Sequence, residues 1–438
     1  MLNFHLIVQV HLILKADLIK YMLINKIKKS EYARNSSILM IGTTTSMIIQ
    51  VLSTLLYARI FTDVEFGIFT LFTATYTILL IAATGRYELA IMLPEEDNQG
   101  FMLTIIACLF SVCFGLVLAL VLFVYMIFVG EYIIWLLFVP LALPILGVYY
   151  SANYWLNRKK HYKKLATNRV LQSILMLLFT YFFGSILNIK SYGLILGYIM
   201  AQFVVMLILL VYLYKDYKRF EIKISLKQIY STGVRYKRFL LLSMPSGLIN
   251  NFATQTPVFL LGFLTNNAVV GQYGMMNRVL ATPISVIGQS ITDVFRQRVS
   301  SDYAKNKECF KTYKQTAKML AVLAIVPFIL LMIFSKPLFN LIFGASWNLG
   351  ASLITVMAPF YYIRFVISPL TYMTYVAEKQ AFEFKWQSGF LIISIISFFI
   401  GSLVSTNPLI LLIGYGIATS IMYFIHLNYT IKLAKGTK

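Results

Sequence analysis

From residue 36 onward the chain alternates apolar runs of about 20 residues with short polar breaks, and a helix of that length crosses a hydrocarbon core of about 30 Å. The pattern predicts twelve spans, near 36–58, 66–84, 101–128, 133–156, 166–187, 191–214, 239–264, 268–292, 316–335, 350–376, 385–403 and 408–430. One break is longer. Residues 215–238 form a basic segment that reads as an amphipathic linker helix lying on the membrane surface. Ahead of the first span, LNFHLIVQVHLIL is too short to cross and no small-residue cleavage site follows it. Residues 1–35 are therefore expected to be an interfacial segment or an upstream extension, with Met22 as an alternative start. The expected protein is an all-α integral membrane protein with a six-helix lobe over 36–214, the linker 215–238 and a second six-helix lobe over 239–438.

The halves repeat. FTDVEFGIF (61–69) resembles LTNNAVVGQY (264–273) at a displacement of 203–204 residues. Further along, Thr73 pairs with Arg278, Thr77 with Thr282, Thr84 with Gln289 and Glu88 with Asp293 at a displacement of 205. With six spans per half, both halves enter the membrane in the same sense, as in parallel repeats about an axis along the membrane normal. Such an arrangement places a cavity on the axis.

Polar positions inside the later spans fall on single helix faces. Span 8 carries Arg278, Thr282, Ser285 and Gln289 at i, i+4, i+7 and i+11, and Asp293 and Arg296 continue that face. Span 10 carries Tyr361, Arg364, Ser368, Thr371 and Tyr375, and span 7 adds Asn251 and Gln255. A guanidinium facing lipid at mid-depth costs at least ~2.5 kcal/mol. Each arginine therefore either bonds to backbone carbonyls or a neighbouring span, or faces a watery cavity. No carboxylate lies mid-span to neutralise either one, which favours an anionic ligand, and the planar fork of arginine suits phosphate. The expected binding set is Arg278, Arg364, Asn251, Gln255, Thr282, Ser285, Gln289, Tyr361 and Ser368, with Tyr361 and Tyr375 able to stack on sugar rings. Pro245, Pro257, Pro359 and Pro369 read either as hinges or as static kinks.

Charge sets the orientation. The net charge is +22, but the basic residues sit in short loops, which points to positive-inside topology rather than nucleic acid. With the N-terminus inside, all but five of the 38 lysines and arginines lie in inner segments. Arg59, Lys190 and Lys336 fall in outer loops, and Arg278 and Arg364 within spans. Both termini are then cytoplasmic. Charged residues make up only 12% of the chain against 59% hydrophobic ones, about half the charge of an ordinary soluble domain. The three cysteines lie in an apolar run or a basic loop and no disulfide is expected.

No Walker loop, HExxH or plausible metal cluster is present, and the outer loops are too short for the sugar chemistry of a membrane glycosyltransferase or polymerase. No catalytic residue, metal or resident cofactor is expected; proton, sodium or membrane potential stay open as the driving force. A multidrug antiporter, the alternative among transporters, would want a mid-span carboxylate for cationic drugs. A non-transporting scaffold of an export assembly is the remaining alternative.

The blocks ATGRYELAIMLPEEDNQG, SVIGQSITDVFRQR, IFGASWNLGA and APFYYIRFVISPLTYMTYVAEKQAFEFKWQ resemble the polysaccharide transporter family, within the superfamily that also holds lipid II flippases and multidrug extrusion proteins. The likeness covers nearly the whole chain after residue 22. It implies a flippase of the bacterial cytoplasmic membrane that moves undecaprenyl-pyrophosphate-linked oligosaccharide from the inner to the outer leaflet by alternating access, in O-antigen, capsule or related synthesis. Membrane lipids and polymerase or export proteins are the implied partners, without nucleic acid. Arg86, Glu88, Pro94, Arg364 and Trp386 carry over from the matching blocks without fixed roles.

One acidic island, GRYELAIMLPEEDNQG (85–100), stands out in a basic protein. It places Arg86 and Glu88 at the inner end of span 2, and the repeat places Asp293, Arg296 and Arg298 at the inner end of span 8. Either these ends meet as a charged gate, closed when the protein faces outward and parted when it faces inward, or Arg86 and Glu88 pair within their own lobe. The EEDNQG turn is expected to be solvated.

Overall fold

A computed structural model describes residues 31–130, 133–220, 222 and 224–436, with the side chains of 31–36, 281–287, 289, 290 and 293 outside the description. Most of the segment 1–35 thus lies outside the described residues. Among the described residues twelve long helices run α1 Glu31–Ile60, α2 Asp63–Thr84, α3 Asp97–Val129, α4 Phe138–Arg158, α5 Tyr162–Tyr181, α6 Gly193–Arg219, α7 Met244–Leu264, α8 Asn267–Asn306, α9 Phe310–Ile342, α10 Asn348–Ile367, α11 Gln380–Val404 and α12 Pro408–Ala434. Among the described residues, ten spans are long and apolar enough to cross a membrane. The other two are α7 and α8, whose polar stripes dilute them.

The helix starts follow from local chemistry. Thr62 and Glu65 form a capping box at α2, the Thr62 amide donating to Glu65 Oε2 at 2.7 Å. At the related position of the repeat, Asn266 caps α8 by accepting from the Val269 amide at 3.0 Å. Helix α2 stops at Gly85, which with Arg86 takes left-handed φ of 58° and 60°. An arginine there is uncommon and turns the chain sharply into the short helix Tyr87–Ala90.

Two spans differ from their expected form. Helix α8 continues to Asn306, well past residue 292, because Phe295 and Val299 bury against Cys309, Tyr313, Leu370, Met373 and Leu433. The span expected over 350–376 is broken instead: α10 ends at Ile367, Pro369 falls in a 3-10 turn over Ser368–Tyr372, and a short helix Met373–Val376 follows. The linker helix runs Leu226–Arg235, with Leu226 and Tyr230 outward and Ile229 packed inward. The acidic turn is solvated at Glu95 and Glu96, as expected, and its Asp97 and backbone also form a seat. Arg158 at the end of α4 donates to Asp97, at 3.1 Å, and to the carbonyls of Ile91, Pro94 and Glu95, while Lys159 reaches Asp97 at 2.5 Å. An acidic, proline-bent segment wraps one guanidinium and ties α4 to α3.

Helices α1–α6 and α7–α12 form two lobes that meet along α2 and α8. A Cβ on Gly271 would overlap the Asp63 carbonyl, and a Cβ on Gly67 would overlap the Asn267 carbonyl. These contacts are reciprocal at a displacement of 204 residues, as a pseudo-two-fold axis requires of a self-complementary interface. The contact lies at the end of the bundle opposite the basic loops, and a polar latch reinforces it. Gln272, 2% exposed, donates to Asp63 Oδ2 at 3.1 Å and to the Ser346 carbonyl at 2.7 Å, and accepts from the Gly350 amide at 2.8 Å. Trp347, buried edge-on against Phe66, donates to the Ala58 carbonyl at 3.3 Å. The lobes are therefore closed against each other at this end.

Candidate functional site

Beneath the closed end lies a cavity of about 590 Å³ between α1, α2, α5 and α6 of one lobe and α8 and α9 of the other. Arg278 is on its wall with Gln50, Tyr57, Thr73, Tyr76, Gln172 and Tyr198. The Arg278 guanidinium lies 5.5 Å from the Phe66 ring and 5.0 Å from the Phe69 ring. Aromatic faces hold it by cation–π attraction.

A second cavity, also about 590 Å³, continues toward the basic end within the first lobe and shares Gln50, Gln172 and Tyr198 with the first. Arg169, Asn153, Asn157, Tyr149, Tyr154 and Gln202 are among its walls. A polar net fixes these side chains. Arg169 donates to Thr43 Oγ1 at 2.5 Å, Gln50 Nε2 lies 3.2 Å from Ser46 Oγ and 3.3 Å from Ser173 Oγ, Tyr149 donates to Gln172 Oε1 at 2.7 Å, and the Tyr76 and Tyr198 hydroxyls are 2.7 Å apart. Tyr57 Oη, Asn153 Oδ1 and Gln202 Oε1 are buried without a hydrogen-bond partner in the protein, and buried polar groups normally have one. The two cavities, which share Gln50, Gln172 and Tyr198 and are together called the lumen, hold one arginine each and no carboxylate among the described lining residues. Each is within the ~300–1,000 Å³ of ordinary ligand sites.

The expected binding residues do not all gather here. Arg278 lines the lumen, with most of the wall supplied by the first lobe rather than the second. Arg364 is not on this wall: its guanidinium lies 6.0 Å from the Tyr361 ring inside the second lobe, within electrostatic reach of the neutral phenols of Tyr423, Tyr415 and Tyr273. Tyr361 is buried there and donates to Asn277 Oδ1 at 2.6 Å. Asn251 donates to the Gly247 carbonyl at 3.1 Å, Gln255 is half-buried, and Ser368 is exposed in the 3-10 turn. Thr282, Ser285, Gln289 and Asp293 lie on α8 with side chains outside the described residues.

At the basic end Arg86 and Glu88 face each other within one lobe, Arg86 Nη1 being 3.8 Å from Glu88 Oε1. Arg86 also packs on Gly247 of α7, where a Cβ would strike its guanidinium. Burial pushes the Glu88 carboxyl up from the usual range, partly offset by the Thr84 hydroxyl, its own backbone amide and Arg86. Arg296 lies over the Tyr372 ring at 4.9 Å, in its own lobe, and Arg298 is exposed.

Arg169 and the first-lobe wall were the residues the sequence reading passed over. Their signal was present: Thr43, Ser46, Gln50, Ser53 or Thr54, and Tyr57 follow helical spacing on α1, Tyr149, Asn153 and Asn157 on α4, and Tyr198 and Gln202 on α6. Arg169 counted as the last residue of a basic loop, whereas α5 begins at Tyr162 and carries it into the lobe.

The sequence match decides the family. The polysaccharide biosynthesis protein family model covers residues 56–351, which takes in α2 through the start of α10. The chain belongs to that family. It is 22% identical over 290 residues to the teichuronic acid biosynthesis protein TuaB of Bacillus subtilis (strain 168), a match covering 64% of this chain and 57% of TuaB. The chain thus spans little more than half the length of that relative. In fold it is similar to a multidrug resistance MATE family transporter of the MOP superfamily in an inward-facing conformation, with a TM-score of 0.69, 14% identity, and 89% and 97% of the two chains covered. The lipid II flippase MurJ in an inward closed conformation gives 0.67 at 13% identity over 90% and 87%. An outward-facing conformation of a MATE family transporter gives 0.62 at 13% over 90% and 94%. The chain is thus a multi-pass membrane protein of the polysaccharide biosynthesis family that shares the fold of these solved structures.

Proposed function

We propose that the protein is a flippase that carries undecaprenyl-pyrophosphate-linked oligosaccharide from the cytoplasmic to the outer leaflet of the bacterial cytoplasmic membrane. One observation carries the reading: a lumen between aliphatic walls that offers arginines, amides, hydroxyls and aromatic faces, and no carboxylate among its described residues. Such a lining suits a pyrophosphate joined to sugars and opposes a cationic drug, since Arg169 and Arg278 repel cations while amides and tyrosines hydrogen-bond and stack on sugar rings. Membership of the polysaccharide biosynthesis family supports the substrate class. The positive-inside rule puts the basic loops and both termini in the cytoplasm, so the closed end is the outer one and the protein faces inward. In this reading Arg169 receives the pyrophosphate first and Arg278 holds it under the outer latch. The prenyl chain stays in lipid, since the outer faces of α3 and α9 expose residues such as Phe128, Leu120, Val322 and Ile333.

The gate at the basic end belongs to the same proposal. Facing inward, Arg86 and Glu88 pair with each other; facing outward, Arg86 meets Asp293 and Glu88 meets Arg296 or Arg298. Leaflet translocation in vesicles containing this protein alone tests the reading. A labelled undecaprenyl-pyrophosphate-linked sugar should change leaflets faster than in protein-free vesicles. Equal rates in both would refute the flippase.

A further inference from the structure

The second lobe buries an acid–base pair away from the lumen. Glu383, in the first turn of α11, is 8% exposed, and His426 of α12 is fully buried. His426 Nε2 lies 3.0 Å from Glu383 Oε2. The same carboxylate accepts from Thr374 of the short helix Met373–Val376 at 3.1 Å and from Gln387 Nε2 at 3.2 Å. His426 Nδ1 is buried with no hydrogen-bond partner. The indole of Trp386 meets the imidazole edge-on at 4.8 Å, and Phe382 covers it at 5.5 Å.

We propose that Glu383 and His426 form a single-proton binding site that couples transport to proton movement. A carboxylate and a neutral imidazole together carry one negative charge, and burial of an unbalanced charge is costly. One added proton, taken up at the unpartnered Nδ1 of His426, neutralises the pair. A second proton would leave a buried positive charge, so the pair holds one. Among the described residues, no cation other than His426 forms a salt bridge with Glu383. Tyr423 of α12 and Tyr375 of the short helix lie within electrostatic reach of Glu383, and Arg296 of α8 acts on Tyr375. Tyr429 stacks on Phe382 at 3.7 Å, Thr430 bonds back to the His426 carbonyl, and Lys379 and Lys385 flank Glu383 on α11 and its approach. Helix α7, packed against α11, has no ionisable side chain between Met244 and Leu264.

The position explains how a proton acts on the fold. One carboxylate joins α11, α12 and the broken end of α10. Uptake on the imidazole turns its hydrogen bond to Glu383 into a charge-assisted one, which strengthens the α11–α12 tie and weakens the same carboxylate's hold on Thr374 and Gln387, so the packing of the α10 break against the lobe changes with occupancy. His426 sits about 12 Å from the Ala434 end of α12 by helical rise, within reach of the basic-end aqueous phase.

The coupling role rests on the flippase reading, whereas the proton site does not, and two measurements keep them apart. A protonated imidazole quenches a touching indole, so the purified protein in lipid nanodiscs should show a pH-dependent fluorescence step. The step should vanish in Trp386→Phe, which separates it from Trp155 beside His161, and in His426→Gln. No step in the wild-type protein, or an unchanged step in His426→Gln or Trp386→Phe, overturns the proton site. Should His426→Gln fail to fold, Trp386→Phe against wild type decides alone. In vesicles, a gradient of one pH unit, acidic on the side of the closed end, should speed translocation by up to about tenfold for one coupled proton. Glu383→Gln should lose that acceleration while keeping its gradient-free rate. A wild-type rate indifferent to the gradient, or a Glu383→Gln rate that still responds, overturns the coupling. Vesicles that translocate nothing under any gradient would speak against the flippase instead, leaving the fluorescence step to judge the proton site.

Discussion

Arg169→Ala and Arg278→Ala should each lower translocation by about 10- to 100-fold, the loss expected for one charge-assisted hydrogen bond of ~1.5–3 kcal/mol. Both side chains line the lumen, and neither has a carboxylate among the described lining residues to satisfy it. Neither substitution should unfold the protein, because each opens onto a cavity rather than filling a packed site. Lysine should rescue only in part, since it keeps the charge and loses the fork. Arg364→Ala makes the contrast. Its side chain lies among Tyr273, Tyr361, Tyr415 and Tyr423, so its removal should lower thermal stability and export together. Translocation and melting temperature measured on all three variants check the account. Unchanged translocation in both Arg169→Ala and Arg278→Ala would remove the lumen arginines from the mechanism.

The second large effect is expected at the lobe contact. Gly67→Ala or Gly271→Ala sets a methyl group where the Asn267 or Asp63 carbonyl stands, both on the backbone of a facing helix. No rotamer change can relieve that overlap, so α2 and α8 must separate and the outer latch through Gln272 must part. The variants should insert normally but lose export, because a transporter that cannot close its outer end cannot reset. A cysteine placed at Thr70, buried under this contact, should become open to an impermeant thiol reagent from outside only in the glycine variants. Normal export by Gly271→Ala would show that the contact seen here is not a required state. The matching test at the basic end is a charge swap: Glu88→Arg should impair export, and Arg296→Glu or Arg298→Glu should partly restore it.

Much of this architecture was legible in the order of residues because the membrane makes the rules strict. Every backbone polar group in a bilayer must be satisfied within its own helix, so apolar runs map directly onto spans. The repeat was legible for a similar reason: FTDVEFGIF and LTNNAVVGQY each hold the cap and the glycine that the axis contact needs, and Gly67 and Gly271 are the residues that touch across it. The site was legible only in part. Arg278 announced itself as a charge inside an apolar run, and it does line the lumen. Arg364 gave the same signal from the same kind of run, yet tyrosines surround it, and spacing along one helix cannot show what a neighbouring helix brings. Arg169 was hidden because hydropathy places helix ends by composition, whereas α5 begins two residues after Lys160 and carries its polar face inward. The acidic island was legible in part, since Glu95 and Glu96 are exposed. Asp97 and the carbonyls around Pro94 look solvated in sequence, and only the fold brings Arg158 onto them.

The central claim is that the lumen from Arg169 to Arg278 is the substrate path, and Gln50, shared by both cavities, is the place to test it. A single cysteine at Gln50, in a background whose native cysteines are replaced, should react with a small thiol reagent from the cytoplasmic side. Undecaprenyl-pyrophosphate-linked oligosaccharide should slow that labelling in a concentration-dependent way, and a lipophilic cation should not. Protection by the cation, or labelling at the same rate with and without the lipid-linked sugar, would contradict the account.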